Sequence, residues 1–147
     1  MKIILLSDDA IRLEPIPGPL TIEAIDAEQS YSPFHMLASA LATCTVSVME
    51  AWATHAGLSI DDLAVIVRWT FAENPHRVDS LYVTFEWPSL PANRYAAARR
   101  VAEMCTVHAT LLHPPTITAD VSSNTSGELP DDDHAAMHEH EHSESTR

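Results

Sequence analysis

The chain is poor in the residue types on which several large functional classes depend. It has three glycines, Gly18, Gly57 and Gly127, so neither a glycine-rich phosphate loop nor a dinucleotide-binding fingerprint can be present. Eight residues are Lys or Arg against 21 Asp or Glu, and the formal net charge is −13. Because no basic face is available for phosphates or anionic lipids, we expect neither nucleic acid nor a membrane as a partner.

Long apolar runs are also missing from the sequence. No run approaches the roughly 20 apolar residues that span a bilayer. The apolar segment at Met1–Leu6 meets Ser7 and two aspartates too early to form the apolar region of a signal peptide. We therefore expect a cytoplasmic protein, in which cysteines normally stay reduced and a disulfide is transient or catalytic.

The order of secondary structure predicts an α+β domain over residues 1–121. Three short strands are expected at Lys2–Leu6, Ile11–Ile16 and Leu20–Ile25, because apolar stretches alternate with Pro, Gly and Asp breaks. Strict alternation predicts an antiparallel hairpin, with arms at Leu63–Phe71 and Leu81–Trp87, and Thr116–Val121 fits a last strand. We expect the helices to pack on this antiparallel sheet.

Two long helices are predicted. Ser32 and Pro33 are typical of a helix start and Gly57 of a helix end, which gives a helix over Pro33–Ala56. Its apolar face is expected to comprise Leu37, Leu41, Cys44, Val48, Trp52 and His55. The second helix is expected over Asn93–Leu112, before Pro114 and Pro115.

The C-terminal segment, residues 122–147, differs in composition from the rest. It contains seven acidic residues, one basic residue and four of the nine histidines, without apolar periodicity. We expect a disordered acidic tail. Alternating His and Glu can chelate transition metals, but weak, unselective affinity is the favoured interpretation, and no spacing in the folded part predicts a metal site.

Cysteine occurs twice, at positions 44 and 105, and neither has a second cysteine or a CxxC pattern near it. Two such thiols on inward helix faces fit a redox couple, in which one forms a sulfenic acid and the other condenses with it. They also fit two small buried hydrophobic residues, and from the residues alone this plainer interpretation is favoured.

Two motifs resemble signatures of the OsmC/Ohr family, the osmotically induced and organic-hydroperoxide-resistance proteins. One is the Ala/Leu-rich stretch from Ser32-Pro33 to Cys44, and the other is Ala102-Glu103-Met104-Cys105-Thr106-Val107-His108. The resemblance extends from Leu20 to Val121. It implies an intertwined homodimer with two long central helices packed against antiparallel sheets.

The same resemblance implies an activity and its residues. Cys44 corresponds to the nucleophile that reduces a small organic hydroperoxide, and Cys105 to the thiol that forms a disulfide with it. An external dithiol such as a lipoyl group would restore both thiols, and no bound cofactor is expected. Arg12 is the candidate cation beside the thiolate, because a low thiol pKa needs a positive neighbour.

Other candidate residues surround this pair. Phe34, His35, Trp52 and His108 are expected to bind substrate, although a solvent-exposed histidine at a helix start is the favoured interpretation of His35. The family's active branches carry a glutamate where this chain has Phe34 or His35, and a proline where it has Thr106. The alternative function is therefore a non-catalytic OsmC-fold protein that binds a small ligand or a protein.

Overall fold

The structure, a computed structural model, describes residues 1–121 of the chain. One compact unit comprises Met1–Pro115. Residues 116–121 contain neither helix nor strand and are exposed. The strand predicted at Thr116–Val121 is therefore wrong, and the predictions for the acidic tail lie outside the described residues.

Five strands form one sheet in the order β3-β1-β2-β4-β5. Their bounds are Lys2–Ser7 (β1), Ala10–Glu14 (β2), Thr21–Ala24 (β3), Ala64–Glu73 (β4) and His76–Glu86 (β5). Neighbouring strands run antiparallel except β1 and β3, which pair in parallel. The sheet is mixed because β2 ends beside the start of β1, and the Pro-rich segment between Glu14 and Thr21 crosses that end of β1 to its opposite side, where β3 begins.

Helix α1 spans Pro33–Ala56, as the sequence predicts, and lies on one face of the sheet. The Ser32 hydroxyl caps its first turn, and Gly57 ends it with a φ of 67°. This left-handed conformation suits glycine because it has no Cβ. The capping residues therefore act here as local sequence rules predict.

The buried face of α1 is rotated from the predicted one. Its buried residues are His35, Ala38, Ser39, Leu41, Ala42, Thr45, Val46, Met49 and Ala53. Leu37, Cys44, Val48 and Trp52 are only half-buried, and His55 is exposed. The small residues let the helix approach β2 and β4 closely, so the face rich in alanine is the one that packs on the sheet.

Helix α1 is long enough and apolar enough to cross a membrane, by length and composition alone. The expectation that the chain has no apolar segment of that length is therefore corrected. Its buried face contacts Ile11 and Leu13 of β2 and Val65 and Val67 of β4 in one core cluster. This packing accounts for the apolar residues of the buried face.

The prediction of a second long helix over Asn93–Leu112 is wrong. A 3₁₀ turn at Ala92–Arg94 precedes α2 at Tyr95–Ala102, and α3 follows at Thr106–Leu112. Cys105 adopts an extended conformation, with φ −63° and ψ 127°, between the two helices. Since no Gly or Pro stands between 95 and 112, local sequence rules give no sign of this break.

Candidate functional site

Cys44 lies in the middle of α1 and faces the start of α3. Its side chain is half-buried, and its Sγ atom is 3.5 Å from the Thr106 hydroxyl oxygen. Thr106 and Val107 are the first two residues of α3, whose backbone N–H groups have no partner inside the helix. The thiol therefore faces several hydrogen-bond donors.

Cys105 is the N-cap residue of α3, where a mid-helix position was predicted. Its Sγ atom accepts a hydrogen bond of 3.4 Å from the backbone N–H of His108, and its side chain is fully buried. The break between α2 and α3 thus places the thiol at a helix start, with its sulfur turned into the domain towards α1. Both cysteines are free thiols.

The environment of Cys44 favours its thiolate. Burial by itself raises the pKa of this thiol, but hydrogen bonds from the Cys105 thiol, the Val107 N–H and both donors of Thr106 outweigh it and lower the pKa. A thiolate can only accept hydrogen bonds, so each of these donors stabilises it relative to the thiol.

Cys105 is shifted in the opposite direction. Burial raises the pKa of its thiol, and the hydrogen bond with Cys44 and the negative charge of Cys44 raise it further. The His108 N–H and the Thr45 hydroxyl act against this without overcoming it. When one of the two thiols has ionised, the remaining proton therefore stays preferentially on Cys105, which makes Cys44 the better nucleophile of the pair.

Arg12 does not contact either thiol among residues 1–121. Its Nε atom lies 2.9 Å from Glu14 Oε1, and its guanidinium also pairs with Glu86. Because Ile11 and Leu13 face α1, alternation along β2 turns Arg12 to the other side of the sheet. The predicted role of Arg12 beside the thiolate has no contact within one chain to support it.

His35 is buried, which corrects the preference for a solvent-exposed residue. Its Nε2 atom lies 2.9 Å from the Ser7 carbonyl oxygen, and its Nδ1 atom lies 2.7 Å from the Ser32 hydroxyl. A carbonyl oxygen can only accept, so Nε2 carries the proton and Nδ1 is the acceptor. The ring also packs edge-on against Trp69. These contacts tie the helix start to β1 rather than to the thiols.

The other predicted substrate-binding residues are dispersed. Phe34 packs edge-on against Phe71, with ring centroids 4.8 Å apart. Trp52 packs against Trp87, whose indole N–H donates to Ser59 in the loop after α1. His108 is half-buried and follows Cys105 by one turn. Of the four candidates, the structure brings only His108 to the cysteine pair.

A cavity of about 410 Å³ lies between α1, β5 and the two short helices. Thr45 and His108, which follow Cys44 by one residue and Cys105 by three, are among its lining residues, whereas neither cysteine lines it. Its walls are mainly apolar and comprise Leu41, Leu81, Val83, Phe85, Ala102, Leu111 and Leu112, with Asp79, Arg99 and Glu103 also among the lining residues. Its size and polarity fit a small organic molecule.

Thr45 and Thr106 were not singled out from the sequence as site residues. Each directly follows a cysteine; the Thr106 hydroxyl contacts Cys44, and the Thr45 hydroxyl acts to lower the pKa of Cys105. The repeated Cys-Thr dipeptide was the only local signal. No group of three or more His, Cys, Asp or Glu residues within residues 1–121 is arranged to hold a metal ion.

Comparison with known proteins agrees with this architecture. The family described as OsmC-like protein matches residues 26–120, which include both cysteines. A crystal structure from Psychrobacter arcticus 273-4, described as an osmotic stress induced and detoxification response protein, has 19% sequence identity and a TM-score of 0.50. The match covers 74% of this chain and 84% of that one. No curated protein matches the chain. With the family match extending over more than half its length, the chain belongs to the OsmC-like protein family.

Proposed function

We propose that this protein is a thiol-dependent reductase of organic hydroperoxides in which Cys44 is the nucleophile and Cys105 the resolving thiol. The observation that carries the proposal is that Cys44 lies against the residue that follows Cys105, with its Sγ atom 3.5 Å from the Thr106 hydroxyl oxygen, while the pKa of Cys44 is lowered and that of Cys105 is raised. Two ordinary buried cysteines need neither this proximity nor opposite pKa shifts.

The reaction would proceed in three steps. The Cys44 thiolate attacks the distal oxygen of the hydroperoxide, the O–O bond breaks, and the alcohol leaves after taking up a proton. Cys44 is thereby oxidised to the sulfenic acid. Cys105 then attacks the Cys44 sulfur, giving a disulfide and water, and an external dithiol returns both cysteines to thiols as it is itself oxidised.

The cavity that Thr45 and His108 help to line supports a small apolar hydroperoxide as substrate. Its apolar walls favour an alkyl or aryl group over the small, polar hydrogen peroxide. Thr45 and His108 are among its polar lining residues. The reductant proposed from the family resemblance is a dithiol such as a lipoyl group, without a bound cofactor.

A homodimer belongs to the same proposal. Leu37, Val48 and Trp52 of α1 remain half-buried in one chain, and Leu112 of α3 is 66% exposed. These uncovered apolar groups support association with a second copy. We further propose a cytoplasmic location and a role in stress response and detoxification, the role named for the structurally similar protein from Psychrobacter arcticus 273-4.

Mass spectrometry with thiol counting tests the catalytic proposal. Reduced protein is treated with one equivalent of cumene hydroperoxide, and we expect rapid loss of both thiols, a linked Cys44–Cys105 peptide and one equivalent of cumyl alcohol. Cys44→Ser should abolish alcohol formation. Cys105→Ser should give a single turnover and a Cys44 sulfenic acid that dimedone traps. Two thiols that stay free during long exposure would overturn the proposal.

The second candidate function is the binding of a small apolar ligand without catalysis. The cavity favours it, and so does the absence of a cation among the described groups that lower the pKa of Cys44. Titration with an apolar fluorophore would test it. Leu111→Asp, at the cavity wall, should weaken binding, whereas Leu20→Asp, at an exposed site outside the cavity, should not.

A further inference from the structure

Each cysteine is followed in the chain by a threonine, and the fold crosses the two pairs. Thr106, which follows Cys105, has its hydroxyl oxygen 3.5 Å from Cys44 Sγ. Thr45, which follows Cys44, is buried, and its hydroxyl acts to lower the pKa of the Cys105 thiol against the larger effect of burial. Each sulfur thus has near it the hydroxyl of the threonine that follows the other cysteine. The arrangement follows from the contact between the middle of α1 and the first turn of α3.

We propose that Thr106 is a positioning residue of the reactive thiol, whose hydroxyl donates to the Cys44 sulfur and holds it as an accessible thiolate. The consequence of this contact for turnover rests on the proposed function. The hydrogen bond itself can be tested without assuming that function.

The Thr106 hydroxyl is available to donate a hydrogen bond to the Cys44 sulfur. The N-cap role at the start of α3 belongs to Cys105, which accepts from the His108 N–H. The backbone carbonyl of Thr106 accepts from Thr110, whereas among residues 1–121 its hydroxyl bonds only Cys44. Because a thiolate cannot donate, the hydroxyl proton must point to the sulfur once Cys44 ionises. The side chain is therefore a committed donor to this atom.

The Thr106 hydroxyl contributes more to the stability of the Cys44 thiolate here than it would if a cation lay beside the sulfur. The described groups that stabilise the Cys44 thiolate are a thiol, one hydroxyl and two backbone N–H groups, none of them charged. The backbone groups are present whatever the side chains, and the Cys105 thiol is consumed in the resolving step. Thr106 is thus the side chain in this set that stabilises the thiolate without taking part in disulfide formation.

The test is the pH dependence of alkylation at Cys44, measured by peptide mass spectrometry on the full chain with iodoacetamide. Thr106→Val removes the hydroxyl and keeps the shape of the side chain. We expect the midpoint to rise and the rate at a fixed pH below it to fall about two- to tenfold, the effect of one hydrogen bond. Thr106→Ser should restore the wild-type profile.

Thr110→Val is the matched control, because this threonine lies one turn later on α3 and its hydroxyl, among residues 1–121, bonds only the helix backbone. It should leave the midpoint unchanged. An unchanged midpoint in Thr106→Val, or an equal shift in Thr110→Val, would overturn the proposal. If Thr106→Val does not fold, comparison of Thr106→Ala with Thr106→Ser decides in the same way.

Failure of this inference and failure of the proposed function can be told apart. A midpoint that moves in Thr106→Val, in a protein that leaves cumene hydroperoxide intact, supports the thiolate contact and rejects the reductase. Alcohol formation with an unmoved midpoint rejects the role of Thr106 and leaves the reductase standing.

Discussion

The Nε2 atom of His35 lies 2.9 Å from the carbonyl oxygen of Ser7, a residue 28 positions earlier in the chain. The same ring accepts from Ser32 through Nδ1, so one side chain caps helix α1 and joins its first turn to the end of β1. A histidine that the sequence associates with substrate is thus bonded on both nitrogens to structural partners.

Replacement of His35 by alanine should destabilise the fold. The change removes the capping contact, leaves the Ser7 carbonyl without its donor and opens a cavity beside Trp69. We expect a loss of about 2–4 kcal/mol in the free energy of unfolding, measured by chemical denaturation. Met36→Ala, at the adjacent exposed position, should change it by less than about 0.5 kcal/mol. Equal effects of the two variants would contradict the capping role.

The two thiols should ionise in a fixed order. The pKa of Cys44 is lowered by hydrogen-bond donors and that of Cys105 is raised by burial and by Cys44, so as pH rises the thiolate forms first on Cys44. Peptide-resolved alkylation across pH should show Cys44 reacting with a midpoint below that of a free cysteine, and Cys105 with one above it. Labelling of Cys105 first would contradict the assignment of nucleophile and resolver.

Arg12→Gln distinguishes an ion-pair role from a role at the thiolate. Because the guanidinium pairs with Glu14 and Glu86, all partly exposed, we expect a loss of about 0.2–1 kcal/mol in the free energy of unfolding. The alkylation midpoint of Cys44 should stay unchanged. A rise of that midpoint would instead show that Arg12 reaches the thiolate, as the sequence predicts, from outside the contacts of a single chain.

Met49→Ala tests the observed face of α1. Met49 is fully buried against the sheet, whereas the residue before it, Val48, is half-buried on the predicted face. We expect Met49→Ala to lower the free energy of unfolding by about 2–5 kcal/mol, because a buried cavity remains. Met104→Ala, at a position 72% exposed, should change it by less than about 0.5 kcal/mol. Thermal or urea unfolding provides the comparison.

Local rules predicted the elements whose signals are local. The bounds of α1 follow from Ser32, Pro33 and Gly57, and the hairpin follows from period-two alternation, since caps and pleats act over a few residues. The break at Cys105 was missed because its cause is not local. A thiol replaces the usual N-cap side chain there, and packing against α1 favours the extended conformation over a continued helix.

The sequence by itself determined the α+β class and the bounds of the long first helix, because composition, periodicity and capping residues carry that information, and it named the two cysteines as a candidate redox pair. Only the tertiary structure decided how those thiols differ. The pKa of each depends on which donors surround its sulfur, and apart from the His108 N–H those donors come from residues about 60 positions away in the chain. The same holds for His35 and Arg12, whose partners on neighbouring elements keep them from the thiol pair within one chain.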